Sequence, residues 1–244
     1  KNGMVMLQNT SAKKYTYSCH SPANFNCRII EKSMDGMLLN IDNREVWTRF
    51  IGEHNAYNIL AVYATAVILG ADKEEVLLKL SNMTSVAGRL EYLKSKNNIT
   101  AVVDYAHTPD ALENVLKTLR ETARDNKLTT VFGCGGNRDR SKRPEMAEIA
   151  AKYSDRIIVT SDNPRFEDPD EIIKEIKNGF NHDDLSKAIF ITDRKEAIRT
   201  AIITASPGEV ILVAGKGHED YQDVKGEKHH FDDKEIIAET FNQL

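Results

Sequence analysis

The chain has 244 residues, a formal net charge of −4 and a pI near 6.0, with 29% charged and 41% hydrophobic residues. This composition is ordinary for a globular protein in water, and the acidic balance without a Lys/Arg-rich run argues against nucleic-acid binding. No apolar run approaches the ~18 residues that a membrane span needs, so we expect no membrane partner.

Three cysteines, Cys19, Cys27 and Cys134, are an odd number without metal-ligand spacing. We therefore expect free thiols, a reducing cytoplasm and no metal site. The chain starts at Lys1 inside a strand-like run and lacks a signal peptide. This start predicts a fragment of a longer protein.

The pattern of the first 51 residues predicts β structure. The candidate strands are short apolar or alternating runs at 3–8, 14–18, 26–30, 36–42 and 46–51. Their close spacing, with Asp35-Gly36 and Asp42-Asn43 as turn residues, favours hairpins over crossovers.

Two helices are predicted next. A helical apolar pattern covers residues 54–69, with Gly70 able to end it at C′, and Asp72 with Glu75 predicts a capped second helix. The stretch 81–88 is polar and aperiodic. We place a domain boundary there, near Val86.

From Leu90 onward, short apolar runs alternate with helical segments. The runs lie at 100–105, 128–133, 156–160, 188–192 and 209–214. Helix starts are signalled by Thr108-Pro109 and by capping aspartates at Asp168, Asp193 and Asp232. Five strands alternating with helices predict an α/β fold, a Rossmann-like parallel sheet wrapped by helices on both faces.

Polar residues follow the ends of these strands. In chain order they are Asp104, His107, Arg138, Asp162, Asn163, Arg165, Asp193, Gly215 and Glu219. Right-handed crossovers bring the carboxyl ends of parallel strands to one rim, where open α/β sheets bind ligands. Random placement would scatter such residues over both ends, so this convergence predicts a binding site.

Three of these loops suit an amino-acid ligand. Arg165 can pair with a carboxylate, Glu219 can bind an ammonium, and Arg138 follows a glycine-rich turn that lets backbone N–H groups approach an anion. Each has a plainer alternative, which is a solvated arginine, a solvated loop and a tight structural turn, respectively.

Other residues suit a nucleotide. Asp104 is placed to bind ribose hydroxyls and His107, near a helix N-terminus, to meet phosphate. Asn55 and Asn58 share one helical face, which suits either capping or adenine recognition. Arg89 at the domain junction fits a phosphate contact or an interdomain salt bridge equally well.

Together these motifs resemble the Mur ligase family, ATP-dependent enzymes that form amide bonds in peptidoglycan synthesis. The segments that carry the resemblance occur in the family's order: 54–58 (HNAYN), 88–91 (GRLE), 104–110 (DYAHTPD), 133–139 (GCGGNRD), 162–165 (DNPR) and 215–219 (GKGHE). The last two are similar to the motifs of members that add meso-diaminopimelate.

The resemblance implies that residues 1–86 are the trailing part of a central P-loop ATPase domain and that 87–244 form the amino-acid-binding domain. The residues implied for the nucleotide are Asn55, Asn58, Arg89, Asp104 and His107. Those implied for meso-diaminopimelate are Arg138, Asp162, Asn163, Arg165, Gly215 and Glu219. It further implies ATP and Mg²⁺ as cofactors, a UDP-MurNAc-dipeptide as the second substrate, and a cytoplasmic monomer.

The implied reaction begins when ATP phosphorylates the D-glutamate carboxylate of the dipeptide. The diaminopimelate amine then attacks the acyl phosphate, and ADP and phosphate leave. Arg165 would pair with the extra carboxylate of diaminopimelate, whereas lysine would leave it without a partner, at a cost of about 2–4 kcal/mol.

The chain departs from the family pattern in lacking the P-loop, the first domain, the upstream Mg²⁺ ligands and the modified lysine. The resemblance therefore predicts that this fragment is inactive by itself. Two alternatives stay open: a non-catalytic amino-acid-binding module, and a related ligase that adds glutamate.

Overall fold

The computed structural model describes Val5, residues 7–123 and residues 125–244. The chain divides into two compact units, before and after the Thr84–Ser85 bond. We call them the N-terminal and the C-terminal unit and describe each by itself.

The N-terminal unit contains one sheet and two helices. Its elements are β1 (Tyr17–Ser18), β2 (Phe25–Ser33), β3 (Gly36–Ile41), β4 (Arg44–Thr48), α1 (Glu53–Ile68) and α2 (Lys73–Asn82). The strands lie in the order β1-β2-β3-β4, and β2, β3 and β4 are joined by the two predicted hairpins. Asp42 and Asn43 adopt left-handed backbone angles, with φ of 48° and 66°, which confirms the second predicted turn.

The predicted helix signals of this unit are confirmed. Gly70 follows α1 with φ of +94°, and its N–H donates to the carbonyl of Val67 at 3.0 Å. Asp72 caps α2 by accepting the backbone N–H groups of Glu74 and Glu75, each at 3.0 Å. The helices cover the sheet face on which alternate β3 side chains are buried.

Two strand predictions for this unit were wrong or too long, and a third lies mostly outside the described residues. The run 14–18 is reduced to β1, which pairs with β2 in parallel rather than in a hairpin. The reason is local: the Asn24 side chain accepts the N–H and the hydroxyl of Thr16, replacing ladder bonds. The run 46–51 leaves the ladder after Thr48, since Phe50 and Ile51 bury their side chains in a loop. Most of the run 3–8 lies outside the described residues, and Leu7 and Gln8 lie in a turn.

The C-terminal unit is built on a six-stranded sheet. Its strands are β5 (Glu91–Lys94), β6 (Thr100–Asp104), β7 (Leu128–Phe132), β8 (Arg156–Val159), β9 (Ala188–Phe190) and β10 (Val210–Ala214). The order is β5-β6-β10-β7-β8-β9, and β6 to β10 are all parallel, as predicted. Of the strands in this sheet, β5, a half-buried edge strand antiparallel to β6, was not predicted.

Helices cover both faces of this sheet. They are α3 (Pro109–Ala123), α4 (Lys142–Tyr153), α5 (Pro169–Lys177), the short α6 (His182–Leu185), α7 (Arg194–Ile203) and α8 (Asp233–Phe241). Because the connection from β9 to β10 runs back across the sheet, a right-handed crossover places α7 on the face opposite α4 and α5. There α7 packs with α8 over the buried side chains of β6 and β10.

The cap predictions for the C-terminal unit are confirmed. Asp168, Asp193 and Asp232 each accept backbone N–H groups at the start of α5, α7 and α8. Across residues 5, 7–123 and 125–244, none of the helices has the length and apolar character that a membrane crossing requires.

A further hairpin follows β10 and was not predicted from the sequence. It consists of β11 (Tyr221–Val224) and β12 (Glu227–His230), which pair antiparallel. The turn residues Lys225 and Gly226 have φ of 53° and 85°, and their position between two four-residue runs was the available signal. This hairpin contacts the loop that follows β8, where Arg165 forms a bridge with Val224.

Candidate functional site

The carboxyl ends of β6, β7, β8 and β10 border an open cleft with a volume of about 730 Å³. The predicted site residues that line it are His107, Arg138, Asp162, Asn163, Arg165, Gly215 and Glu219. Four loops contribute to the cleft because β10 lies between β6 and β7, so that the end of the last strand meets the ends of earlier ones.

Beneath the cleft lies a buried lysine that the sequence analysis did not assign to the site. Lys216 is 0% exposed, and its Nζ donates to Oδ1 of Asn163 at 3.1 Å. The same nitrogen lies 3.5 Å from Oε2 of Glu219 and 3.7 Å from Oδ1 of Asp162. The alternative of a solvated loop for 215–219 is therefore wrong at its lysine.

The Lys216 ammonium organises the acceptors around it. Oδ1 of Asn163 also accepts the backbone N–H of Asp223 at 2.9 Å, while its Nδ2 donates to Oε2 of Glu219 at 2.9 Å. The Tyr105 hydroxyl donates a hydrogen bond to Oε1 of Glu219 at 3.4 Å. These contacts hold the amide and the carboxylate in fixed orientations at one side of the cleft.

Asp162 is the electrostatically unusual group of the site. Burial raises the pKa of its carboxyl, and the positive charges of Arg194 and Lys216 only partly oppose that rise. Burial likewise lowers the pKa of Lys216, and the Asp162 charge opposes it. Within the described part of the chain, Oδ1 of Asp162 has no hydrogen-bond partner. A ligand ammonium would supply the missing donor.

Arg165 is held by backbone contacts on both sides. Its φ is 51°, a left-handed conformation. Its N–H donates to the carbonyl of Asp223 at 2.9 Å, and its carbonyl accepts from Lys225 at 2.7 Å. The guanidinium donates through Nη1 to the carbonyl of Gly136 at 2.9 Å, and Nε lies 3.8 Å from a carboxylate oxygen of Asp223. Since a guanidinium carries five N–H groups, donors remain for a carboxylate in the cleft.

The glycines of the loop after β7 are explained by close packing. A Cβ at Gly133 or Gly136 would overlap the carbonyl of Thr160 or Pro164, and one at Gly135 would lie 2.8 Å from Nη1 of Arg165. The alternative of a tight structural turn therefore accounts for these glycines without an anion. Arg138 is exposed at the mouth of the cleft.

The residues of this unit that were predicted to bind a nucleotide differ in their exposure and in their contacts. Asp104 is 5% exposed, and its Oδ2 accepts the N–H of Leu90 at 2.8 Å. Arg89 is exposed and lies over the ring of Tyr105, 5.1 Å from its centroid. His107 is exposed on the cleft and its Nδ1 contacts the carbonyl of Tyr105 at 2.8 Å.

Asn55 and Asn58 lie on α1 of the N-terminal unit. Nδ2 of Asn58 donates to Oδ1 of Asn55 at 3.2 Å, and Nδ2 of Asn55 donates to the carbonyl of Ile51 at 2.8 Å. The pair therefore shares one helical face as expected, and Asn55 satisfies a carbonyl that precedes the helix. The exposed amide of Asn58 is the more accessible of the two.

Comparison with protein families and with curated proteins gives consistent matches. The family model described as "Mur ligase, glutamate ligase domain" matches residues 88–217, more than half of the chain. A UDP-N-acetylmuramoyl-L-alanyl-D-glutamate–2,6-diaminopimelate ligase of Bacteroides thetaiotaomicron is 56% identical over 243 residues, covering 99% of this chain and 50% of that protein. The chain spans about half the length of the curated relatives it matches.

Solved structures show the same fold. A UDP-N-acetylmuramoyl-L-alanyl-D-glutamate–2,6-diaminopimelate ligase superposes with a TM-score of 0.73 at 35% identity, over 98% of this chain and 50% of that one. A folylpolyglutamate synthase of Thermotoga maritima superposes with a TM-score of 0.62 at 20% identity, over 78% of this chain and 43% of that one. At that identity the second likeness concerns the fold alone.

Proposed function

The chain belongs to the Mur ligase family, and from this premise we propose that its C-terminal unit holds the amino acid that an ATP-dependent ligase joins to a peptide carboxylate. One observation carries the proposal: the Arg165 guanidinium and the carboxylates of Asp162 and Glu219 line the same cleft. A cation and buried acceptors in one cleft match the carboxylate and ammonium of an amino acid.

The proposed amino acid is meso-diaminopimelate. Its second amino-acid centre offers both groups that the cleft can bind, a carboxylate for Arg165 and an ammonium for the carboxylate of Asp162. Lysine has the ammonium but lacks the carboxylate, which would leave donors of Arg165 unsatisfied at a cost of about 2–4 kcal/mol. The relatives named as diaminopimelate ligases support this choice.

In the proposed reaction the chain's own residues position a nucleophile. With one end of diaminopimelate held by Arg165, Asp162 and Glu219, the amine of the other end attacks an acyl phosphate on the D-glutamate of a UDP-MurNAc-dipeptide. The new C–N bond forms as the C–O bond to phosphate breaks, and the amine loses a proton. Orientation of the two reactants is the contribution of this unit.

ATP belongs to the proposal as the phosphoryl donor, and we assign Asn55, Asn58, Arg89, Asp104 and His107 to it. Among the described residues no group of three or more His, Cys, Asp or Glu side chains fits a metal ion. Mg²⁺ stays a prediction, and we derive no step through it. The inactivity of the chain alone, its monomeric state and its place in the cytoplasm stay predictions. Phosphate release from ATP by the chain would contradict the first of them.

The proposal is tested by calorimetric titration of the chain with meso-diaminopimelate, L-lysine and L-glutamate. We expect diaminopimelate to bind with selectivity over lysine, and Arg165→Ala to abolish that selectivity. Arg199→Ala, which alters a half-buried arginine on α7 outside the cleft lining, is the matched control. Equal binding of diaminopimelate and lysine would contradict the proposal. A preference for glutamate would favour a glutamate-adding ligase instead.

A further inference from the structure

Two loops of the C-terminal unit are joined beneath Arg165. We call residues 133–139 the glycine loop and residues 160–167 the arginine loop. The hydrogen bonds between them run from Gly136 N to Asn163 O (2.9 Å), from Arg165 Nη1 to Gly136 O (2.9 Å), from Phe166 N to Asn137 Oδ1 (3.1 Å) and from Asn137 N to Glu167 Oε1.

One peptide unit takes part in two of these bonds. The peptide between Gly136 and Asn137 gives its N–H to the Glu167 carboxylate and its carbonyl to the Arg165 guanidinium. Because a trans peptide is planar with its N–H and C=O opposed, the first bond fixes the direction of the second. Glu167 therefore determines where the acceptor for Arg165 points.

This peptide needs such a restraint. It follows a glycine, and Asn137 has φ of 51°, in the left-handed region that non-glycine residues rarely adopt. A rotation of this peptide plane meets no side chain at Gly136 and would take Asn137 out of the left-handed region. It would turn the carbonyl away from Arg165 and release the guanidinium.

The Glu167 carboxylate is itself held by a buried arginine. Arg143 on α4 is 0% exposed, and it donates through Nη1 and Nη2 to the two oxygens of Glu167, each at 3.0 Å. Nη1 also donates to Glu175 at 2.6 Å, and Nη2 to the carbonyl of Gly135 at 3.4 Å. A bidentate pair with a buried guanidinium restricts the carboxylate far more than a single bond to solvent would.

We infer that Glu167, anchored by Arg143, is a positioning residue that orients Arg165 for its ligand carboxylate. The described residues that line the cleft include neither Arg143 nor Glu167, so the effect passes through the Gly136–Asn137 peptide. The inference rests on the proposed function, in which Arg165 distinguishes diaminopimelate from lysine.

The test compares four variants. Glu167→Gln keeps the shape but places an amide donor against the donors of Arg143, and Glu167→Asp keeps the charge but shortens the reach to Asn137. Arg165→Ala removes the proposed selectivity residue. Glu171→Gln on α5 is the matched control, because Glu171 is exposed and pairs with Lys174 at the surface.

The first measurement is the NMR signal of the Arg165 Nη–H groups in the free chain, with thermal unfolding as a check on the fold. We expect a distinct signal in the wild type and in Glu171→Gln. In both Glu167 variants it should move to the position of exposed arginines while the chain stays folded. An unaltered signal in folded Glu167 variants would overturn the inference.

The second measurement is the ratio of the dissociation constants for L-lysine and meso-diaminopimelate. We expect the Glu167 variants to weaken diaminopimelate binding about tenfold and to leave lysine binding nearly unchanged, since only diaminopimelate uses Arg165. General damage to the unit would weaken both ligands together. A loss of selectivity in Arg165→Ala but not in the Glu167 variants would overturn the inference alone.

The proposed function has a separate outcome. A wild-type chain without a preference for diaminopimelate, or a preference that Arg165→Ala leaves intact, would contradict the proposed function. The Arg165 signal would then decide the positioning inference by itself, because that measurement needs no ligand.

Discussion

The two rims of the C-terminal sheet carry similar residues and differ in how completely these are paired. At the amino rim, Arg156 donates through Nε to Thr129 and through Nη2 to Glu209, each at 3.0 Å, while Nη1 bonds to Thr204. Glu209 also accepts the Thr129 hydroxyl at 2.6 Å and the Ser206 N–H at 2.9 Å. These charged side chains therefore find their hydrogen-bond partners within the amino rim itself.

At the carboxyl rim the charged side chains are less completely paired. Oδ1 of Asp162 has no hydrogen-bond donor among the described residues, and the Arg165 guanidinium has one hydrogen bond and one loose ion pair. Buried polar groups are normally satisfied, so incomplete pairing at one rim supports the proposal that a ligand binds there. Under the proposed function, the pairing of charged side chains, more than their presence, distinguishes the structural rim from the binding rim.

We expect the largest effect on stability from breaking a buried ion pair that supports the carboxyl rim. Arg194 and Asp233 are fully buried and form two hydrogen bonds, at 2.8 and 2.7 Å. Asp233→Asn leaves the guanidinium charge without its counter-ion and should lower the free energy of unfolding by about 3–5 kcal/mol. Urea denaturation measures this. The exposed pair of Lys195 and Glu239 is the control, and Lys195→Met should cost less than about 1 kcal/mol.

A smaller loss of stability is expected at the amino rim. Glu209→Gln places an amide where a carboxylate receives Arg156, and should cost about 1–3 kcal/mol in unfolding free energy. Binding of diaminopimelate should not change, because this network lies at the opposite end of the strands. Weaker ligand binding in this variant would contradict the separation of the two rims.

At the carboxyl rim we expect the opposite result, with little change in stability and a loss of ligand binding. Asp162→Asn removes a carboxylate whose charge is disfavoured by burial, so the unfolding free energy should change by less than about 1 kcal/mol. Binding of meso-diaminopimelate should weaken at least about tenfold, since the ligand ammonium loses a charged partner. Denaturation and calorimetry on the same variant check both. A large loss of stability with intact binding would assign Asp162 a structural role.

The smallest effect concerns acid stability. Hydrogen bonds from Arg143 and from the Asn137 N–H hold the pKa of Glu167 below its usual value near 4.5. Its stabilising contribution is therefore complete above the unfolded-state pKa and is lost as the pH falls through the lower folded-state pKa. Urea denaturation from about pH 6 to about pH 3 should show a steeper loss in the wild type than in Glu167→Gln. Parallel curves would contradict this assignment.

Much of the C-terminal unit followed from local pattern. Each parallel strand is a short apolar run, and each of the aspartates Asp168, Asp193 and Asp232 caps the helix that it was expected to cap. Local sequence carries this information because strand burial and helix capping involve residues only a few positions apart. The gathering of polar residues at one rim followed too, since parallel strands with right-handed crossovers align their carboxyl ends.

Pairing between distant residues was decided only by the tertiary structure. Lys216 is buried because it meets Asn163, 53 residues earlier in the chain, and Arg143 lies 24 residues from Glu167. The hairpin of β11 and β12 holds Arg165 across a similar separation. The residue types that bind a ligand can be read from one loop. Whether each charge is already paired depends on which loops the sheet order brings together, and no single segment contains that information.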